Sequence, residues 1–242
     1  MNINQLQDAL AGIPYMRPDQ GQEIYTFILQ HRLANCLELG FAHGVGTAYM
    51  ASAASQIGGK VTAIDLEIAK QGQPDIMTVL KKAEVRPETV EIFFEPSSYT
   101  WRMMKFMDEG RSSTFDFVYI DGAHSWAVDG FAFFLAEKLL RPGGWILFDD
   151  LNWRFDDPGM PESLIKQMTI EERTTPQVRK IWELLVKTSD KFDSLDEKGG
   201  WGYARKSLNQ SQQTVLVRYH PIATSLIDFK NYAVGKLKRR KA

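Results

Sequence analysis

Five short apolar runs, each ending on an acid, a glycine-rich turn or a polar pair and the first four each followed by a helix-length segment, constrain this chain most. They are "NCLEL" (35–39), "KVTAIDLE" (60–67), "TVEIFFEP" (89–96), "FDFVYI" (115–120) and "WILFDD" (145–150). Between them lie "TAYMASAASQI" (47–57), stopped by Gly58 and Gly59, then "QPDIMTVLKKAEV", "YTWRMMKFMDEG" and "WAVDGFAFFLAEKLL". On the last of these, Ala127, Phe131, Phe134, Leu135 and Leu139 recur at helical spacing and predict the core-facing stripe. "RPGG" predicts a turn into the fifth strand. Strands alternating with helices demand right-handed crossovers, so the expectation is an α/β fold: a doubly wound, mostly parallel sheet with helices on both faces.

Beyond residue 151 the alternation loosens. An elaborated loop with a short helix is expected, then a helix over 175–189. "KFDSLDEKGGWGYARKS" predicts two strands joined at Gly199-Gly200, an antiparallel addition near the C-terminus. The expected organisation is one domain over 1–207, with a helical segment over 1–33 lidding the site, and an extension over 208–242.

With 242 residues the chain suits one sizeable α/β domain. Its net charge is -1, but five of the 29 basic residues sit in the terminal "KLKRRKA". Without them the balance is 24 against 30, so the body is mildly acidic and does not favour nucleic acid as a partner. The basic tail is expected to be solvated. The lone cysteine, Cys36, excludes an internal disulfide framework. "MNINQLQDAL" lacks a signal-peptide pattern, and no apolar run reaches the ~20 residues of a membrane span, so a cytoplasmic location is expected. A homo-oligomer is compatible with all of this.

In open α/β sheets ligands bind beyond the carboxyl ends of the strands. After the first strand comes "ELGFAHGVGT", where Gly40, Gly44 and Gly46 allow tight turning and close approach, and the next helix points its N-terminus at the same place. The spacing is not that of the dinucleotide fingerprint, and a plain strand-to-helix turn is the alternative. Asp65 closes the second strand, where an acid suits a ribose's vicinal hydroxyls; Glu67 competes for that role. Ser97 or Ser98 follows the third strand and suits an adenine edge. Turn, acid and base-edge group together outline a nucleoside pocket.

In these stretches the chain resembles a class I S-adenosylmethionine-dependent methyltransferase, over roughly residues 13 to 206. "ELGFAHGVGT" looks like that family's first motif, "VTAIDLE" its ribose motif and "LLRPGGWILFDD" its fifth-strand motif. The resemblance implies a Rossmann-like fold and a cofactor held by Glu38, Gly40, Phe41, Gly44, Gly46, Thr47, Asp65, Ser97 and Asp121.

Asp121 closes the fourth strand, and Asp149 with Asp150 the fifth, so three carboxylates are expected to converge. Neighbouring like charges raise one another's pKa, and a hard divalent cation such as magnesium resolves the conflict. The pattern resembles metal-dependent small-molecule O-methyltransferases of the catechol and macrocin types, and cephalosporin-hydroxylase-like proteins. That resemblance implies Asp121, Asp149 and Asp150 as metal ligands, with His124 as general base. His43 is a weaker rival, and Asp121 and His124 capping the next helix with Ser125 is the alternative. Trp126, Trp153 and Trp201 are candidates for a substrate cleft, and Tyr15 and Arg17 for substrate contacts. The expected acceptor is a hydroxyl of a sugar or another polyhydroxylated metabolite. A nucleic-acid or protein methyltransferase, and a non-catalytic nucleoside-binding protein, are the competing expectations.

Overall fold

A computed structural model describes residues 1–157 and 162–208. Seven strands form one sheet in the order β3-β2-β1-β4-β5-β7-β6. They are β1 Asn35–Leu39, β2 Lys60–Leu66, β3 Val90–Glu95, β4 Phe115–Ile120, β5 Leu140–Phe148, β6 Phe192–Lys198 and β7 Trp201–Lys206. The first five are mutually parallel; β7 pairs antiparallel with β5, and β6 antiparallel with β7. The strand order reverses at β1, whose neighbours are β2 and β4, and that switch point opens a crevice at the carboxyl ends.

The crossovers are α3 Val45–Gln56, α4 Ile76–Lys82, α5 Tyr99–Asp108 and α6 Trp126–Leu139, preceded by α1 Ile3–Leu10 and α2 Pro18–His31. After β5 come α7 Glu162–Ile165, α8 Ile170–Thr174 and α9 Gln177–Ile181, which continues into one π-helical turn, Trp182–Val186. One core layer joins β4 and β5 to Tyr99, Met103, Phe106, Phe133 and Trp182. Another packs Ile24, Ile28, Met50 and Ala54 against Cys36, Phe117 and Tyr119. The Cys36 thiol is fully buried, which pushes its pKa upward and leaves it an inert core group. Among the described residues no helix is long and apolar enough to cross a membrane. The extension beyond residue 208, with its basic tail, lies outside the described residues.

Two expectations change. Phe131 and Phe134 of α6 are 55% and 51% exposed, while Ala132, Phe133, Leu135, Ala136 and Leu139 are buried. Helix α6 packs against both α5 and α9, so it buries more than half its circumference. What remains outside is the stripe 127, 131, 134, 138, and its aromatic residues imitate a core stripe. The "RPGG" turn is instead an irregularity inside β5, which begins at Leu140. Pairing jumps from Phe115↔Leu140 to Phe117↔Trp145, with Gly143 at φ +76°. The hairpin at Gly199-Gly200 forms as expected, both glycines having positive φ.

A buried cation fastens that hairpin to the sheet's helical cover. Lys206, 3% exposed, donates to the carbonyls of Glu137 and Leu140 at the end of α6, and pairs with the Glu137 carboxylate at 3.1 Å. Lys191 holds the other Glu137 oxygen at 2.9 Å.

Candidate active site

The carboxyl ends of β1 to β5 and the loop between α1 and α2 enclose a cavity of about 1090 Å³. Its wall includes Glu38, Gly40, Phe41, Gly46, Asp65, Ser97, Asp121, His124, Asp149 and Asp150, so the sequence brings most of its candidates to one place.

Gly40 has φ +86°, and a Cβ there would overlap the Asp121 carbonyl oxygen, so only glycine lets β1 turn this tightly against β4. The chain then meets Asp65, whose Oδ2 accepts the amides of Phe41 and Ala42 at 2.9 and 2.7 Å. Asp65 therefore has a structural duty besides the ribose role expected of it: it fastens the glycine-rich loop. Glu67 pairs with Lys70 on an exposed turn and is not on the cavity wall. Gly44, at φ +88°, caps α3, and the Thr47 hydroxyl donates to Glu38. Burial pushes the Glu38 carboxyl well above its usual range, and the Thr47 bond only partly opposes this. Ser97 and Ser98 both line the cavity, but Ser98 also caps α5, accepting from Thr100 at 3.1 Å; Ser97 is the exposed one.

The carboxylates divide. Asp149 is 6% exposed and saturated with donors: the Asp150 amide at 2.6 Å, the Trp201 indole and the Tyr119 hydroxyl at 2.5 Å. The same Tyr119 hydroxyl reaches Asp121 at 3.0 Å. Burial, then the charges of Asp121 and Asp150, raise the Asp149 carboxyl to about 7. His124 Nε2 lies 3.2 Å from Asp150 Oδ2 and 3.5 Å from Asp121 Oδ1. It is buried and aligned in a hydrogen bond with neither. Burial lowers the imidazole's proton affinity, but the two carboxylates outweigh it and hold the pKa at about 10. Ligand atoms of Asp121, His124 and Asp150 all lie within 4.8 Å of one another, whereas Asp149 stands outside that group. Carboxylate oxygens around a crowded acidic point, with an orphaned ring nitrogen beside them, fit a divalent cation.

His124 does not cap α6; Ser125 does, accepting from Val128. His43 Nδ1 meets the Pro74 carbonyl at 2.6 Å and its ring stacks with Tyr15, so it is engaged elsewhere. Arg17 is on the cavity wall, paired with Asp19. Of the tryptophans, Trp153 rests 4.9 Å from the His124 ring, Trp201 lies buried behind Asp149, and Trp126 is 42% exposed off the cavity wall. Sequence reasoning missed Tyr119, which reads as a plain strand residue although its hydroxyl joins two of the acids.

These ionisations set a direction for stability. His124, raised above its ordinary 6.5, contributes stability that is complete below that value and lost as pH rises through about 10. Asp149, raised above 3.8, costs stability increasingly as pH rises from that value to about 7. The metal-free protein is therefore expected to weaken from pH 5 to pH 9, as read by urea midpoints. A His124→Gln, Asp149→Asn variant should show a flatter profile; equal slopes would mean that these groups titrate normally.

Residues 37–151 match the family model described as a methyltransferase domain. No curated protein is a significant sequence match. Among solved structures, an O-methyltransferase from Bacillus cereus in complex with SAH is 21% identical, with a TM-score of 0.61, over 84% of this chain and 91% of that one. The O-methyltransferase TomG from Streptomyces achromogenes, involved in tomaymycin synthesis and bound to SAM, is 18% identical, TM-score 0.61, over 85% and 89%. A SAH-bound Podospora anserina methyltransferase is 14% identical, TM-score 0.57, over 85% and 87%. The fold of this chain is thus the fold of these methyltransferase structures.

Proposed function

We propose that the chain moves the methyl group of S-adenosylmethionine to a hydroxyl oxygen of a small molecule carrying two adjacent oxygens, such as a sugar or another polyhydroxylated metabolite. His124 acts as base beside a divalent cation held by Asp121 and Asp150, while Asp149, expected as a third ligand, is taken up by its own donors. The observation that carries this reading is the buried His124 Nε2, set between two carboxylates of the cavity wall without a hydrogen-bond partner among the described residues. The O-methyltransferase neighbours of the fold support oxygen as the acceptor atom.

Glu38, Gly40, Phe41, Gly44, Gly46, Thr47, Asp65 and Ser97 would hold the cofactor, which supplies a sulfonium methyl for in-line displacement. The cation would fix the acceptor's adjacent oxygens and lower the pKa of the reacting hydroxyl. His124 then removes that proton, and the pocket's remaining task is alignment. An imidazole held near pKa 10 is already protonated at neutral pH and unfit as a base. Positive charge between the same carboxylates opposes that proton, so metal occupancy and base function are linked.

Calorimetry tests the reading directly. S-adenosylmethionine is expected to bind without metal, and Asp65→Ala to weaken it by roughly 1.5–3 kcal/mol, the scale of a charge-assisted hydrogen bond. Because Asp65 also fastens Phe41 and Ala42, that variant should melt lower as well. Magnesium added next should bind with release of about one proton, seen by comparing buffers of different ionisation heat. Full methyl transfer to a polyhydroxylated acceptor in excess chelator would remove the metal from the mechanism.

A further inference from the structure

His124 owes its position to a backbone that histidine rarely adopts, φ +53°. Loop 121–124 carries Asp121 at one end and His124 at the other, and something must hold it there. Behind it lies a buried pair that no step of the proposed reaction uses. The Tyr99 hydroxyl donates to Asp129 Oδ1 and accepts the Ala123 amide at 3.2 Å. Tyr99 is 4% exposed and Asp129 1%. The amides of Ala123 and His124 face the Asp129 carboxylate and favour its charged form. Gly122 lies flat against the tyrosine, since a Cβ there would come within 2.5 Å of the ring. Asp129 belongs to the first turn of α6, and its own amide donates to Ser125 at 2.9 Å, so the pair is anchored to a rigid element.

We infer that Asp129 and Tyr99 are positioning residues: together they hold loop 121–124 in its left-handed turn and so aim the His124 imidazole between Asp121 and Asp150. Neither reaches the carboxylate cluster itself. Their effect passes through the backbone of Ala123 and His124. The inference rests on the proposed role of the Asp121–His124–Asp150 group, and its test separates the two.

The test compares wild type with Asp129→Ala, Asp129→Asn and Tyr99→Phe. The first readout is the ring Cε1–H signal of His124 in two-dimensional NMR at fixed pH without metal, among four histidines in the chain. Asp129→Ala and Tyr99→Phe should displace the His124 signal and leave His31 and His43 in place, with Asp129→Asn nearer wild type. The second is affinity for Mn²⁺ alone, read by electron paramagnetic resonance. It should weaken about tenfold or more in Asp129→Ala, as when a ligand loses its supporting partner. S-adenosylmethionine affinity in that variant should stay within about twofold. Tyr99→Phe removes one oxygen and keeps the ring, so it serves should Asp129→Ala fail to fold. An unmoved His124 signal in variants that melt lower would overturn the inference, leaving the pair a packing feature. If wild type binds no Mn²⁺, the metal reading fails instead, and the NMR comparison alone decides the pair.

Discussion

His124→Ala is expected to lower turnover by roughly 10²–10⁴-fold, the usual contribution of a positioned general base. S-adenosylmethionine affinity should barely change, because the imidazole stands at the carboxylate end of the cavity beside Asp150 and Asp121. Metal affinity in the variant decides between two roles for the same nitrogen. As base, His124 can be removed and the acids still bind the cation; as ligand, its loss weakens metal binding as well. In wild type saturated with metal, the apparent pKa of turnover should lie well below the value of about 10 set by the two carboxylates alone. His124→Lys, the residue implied at this spacing by the catechol-type resemblance, should keep part of the activity with an alkaline-shifted profile. An alanine variant with wild-type turnover and pH profile would reduce His124 to a loop residue.

Lys206→Met is expected to cost about 3–5 kcal/mol of stability, the scale of breaking a buried ion pair from one side. The ammonium serves the Glu137 and Leu140 carbonyls and the Glu137 carboxylate at once, and methionine serves none. Replacing both partners, Lys206→Met with Glu137→Leu, should restore part of that loss, since no buried charge is then stranded. Burial raises the Glu137 carboxyl, but Lys191 and Lys206 outweigh it and hold it below its usual range. Its contribution is therefore present above the ordinary carboxylate range and lost as pH falls through the lowered value. The double variant should lack that acid-side loss. Urea midpoints at pH 7 and pH 4 check both points; a single variant as stable as wild type would mean that water replaces the ammonium at the helix end.

The parallel sheet was legible because its strands are continuous apolar runs with polar ends, and those ends are what the switch point gathers. Asp65, Asp121, Asp149 and Asp150 therefore stand out by position and His124 by the resemblance, and all five line the cavity. The α6 stripe misled because exposed Phe131 and Phe134 repeat at the same period as a buried face. The onset of β5 was hidden by its Pro-Gly-Gly irregularity. The supports of the site were beyond reach for another reason. Tyr119 to Asp149, Trp201 to Asp149 and Tyr99 to Asp129 are contacts between residues 30 to 52 apart, and each partner reads locally as core or helix. Nothing in a tyrosine's own neighbourhood says which distant acid its hydroxyl will meet.

His124 and Asp150, which face each other across the acidic point, both sit in the left-handed region, at φ +53° and +52°. That conformation costs a non-glycine residue about 1 kcal/mol or more, and at Asp150 the neighbouring carboxylates add repulsion. Glycine at either position relieves the backbone, and at the second it removes a charge as well. A library of this chain sorted only for heat resistance would therefore be drawn towards Asp150→Gly, whereas His124→Gly also gives up the imidazolium's pairing with two carboxylates. Survivors would be sturdier proteins with an emptied reaction centre, so any such selection must carry a methyl-transfer screen beside it.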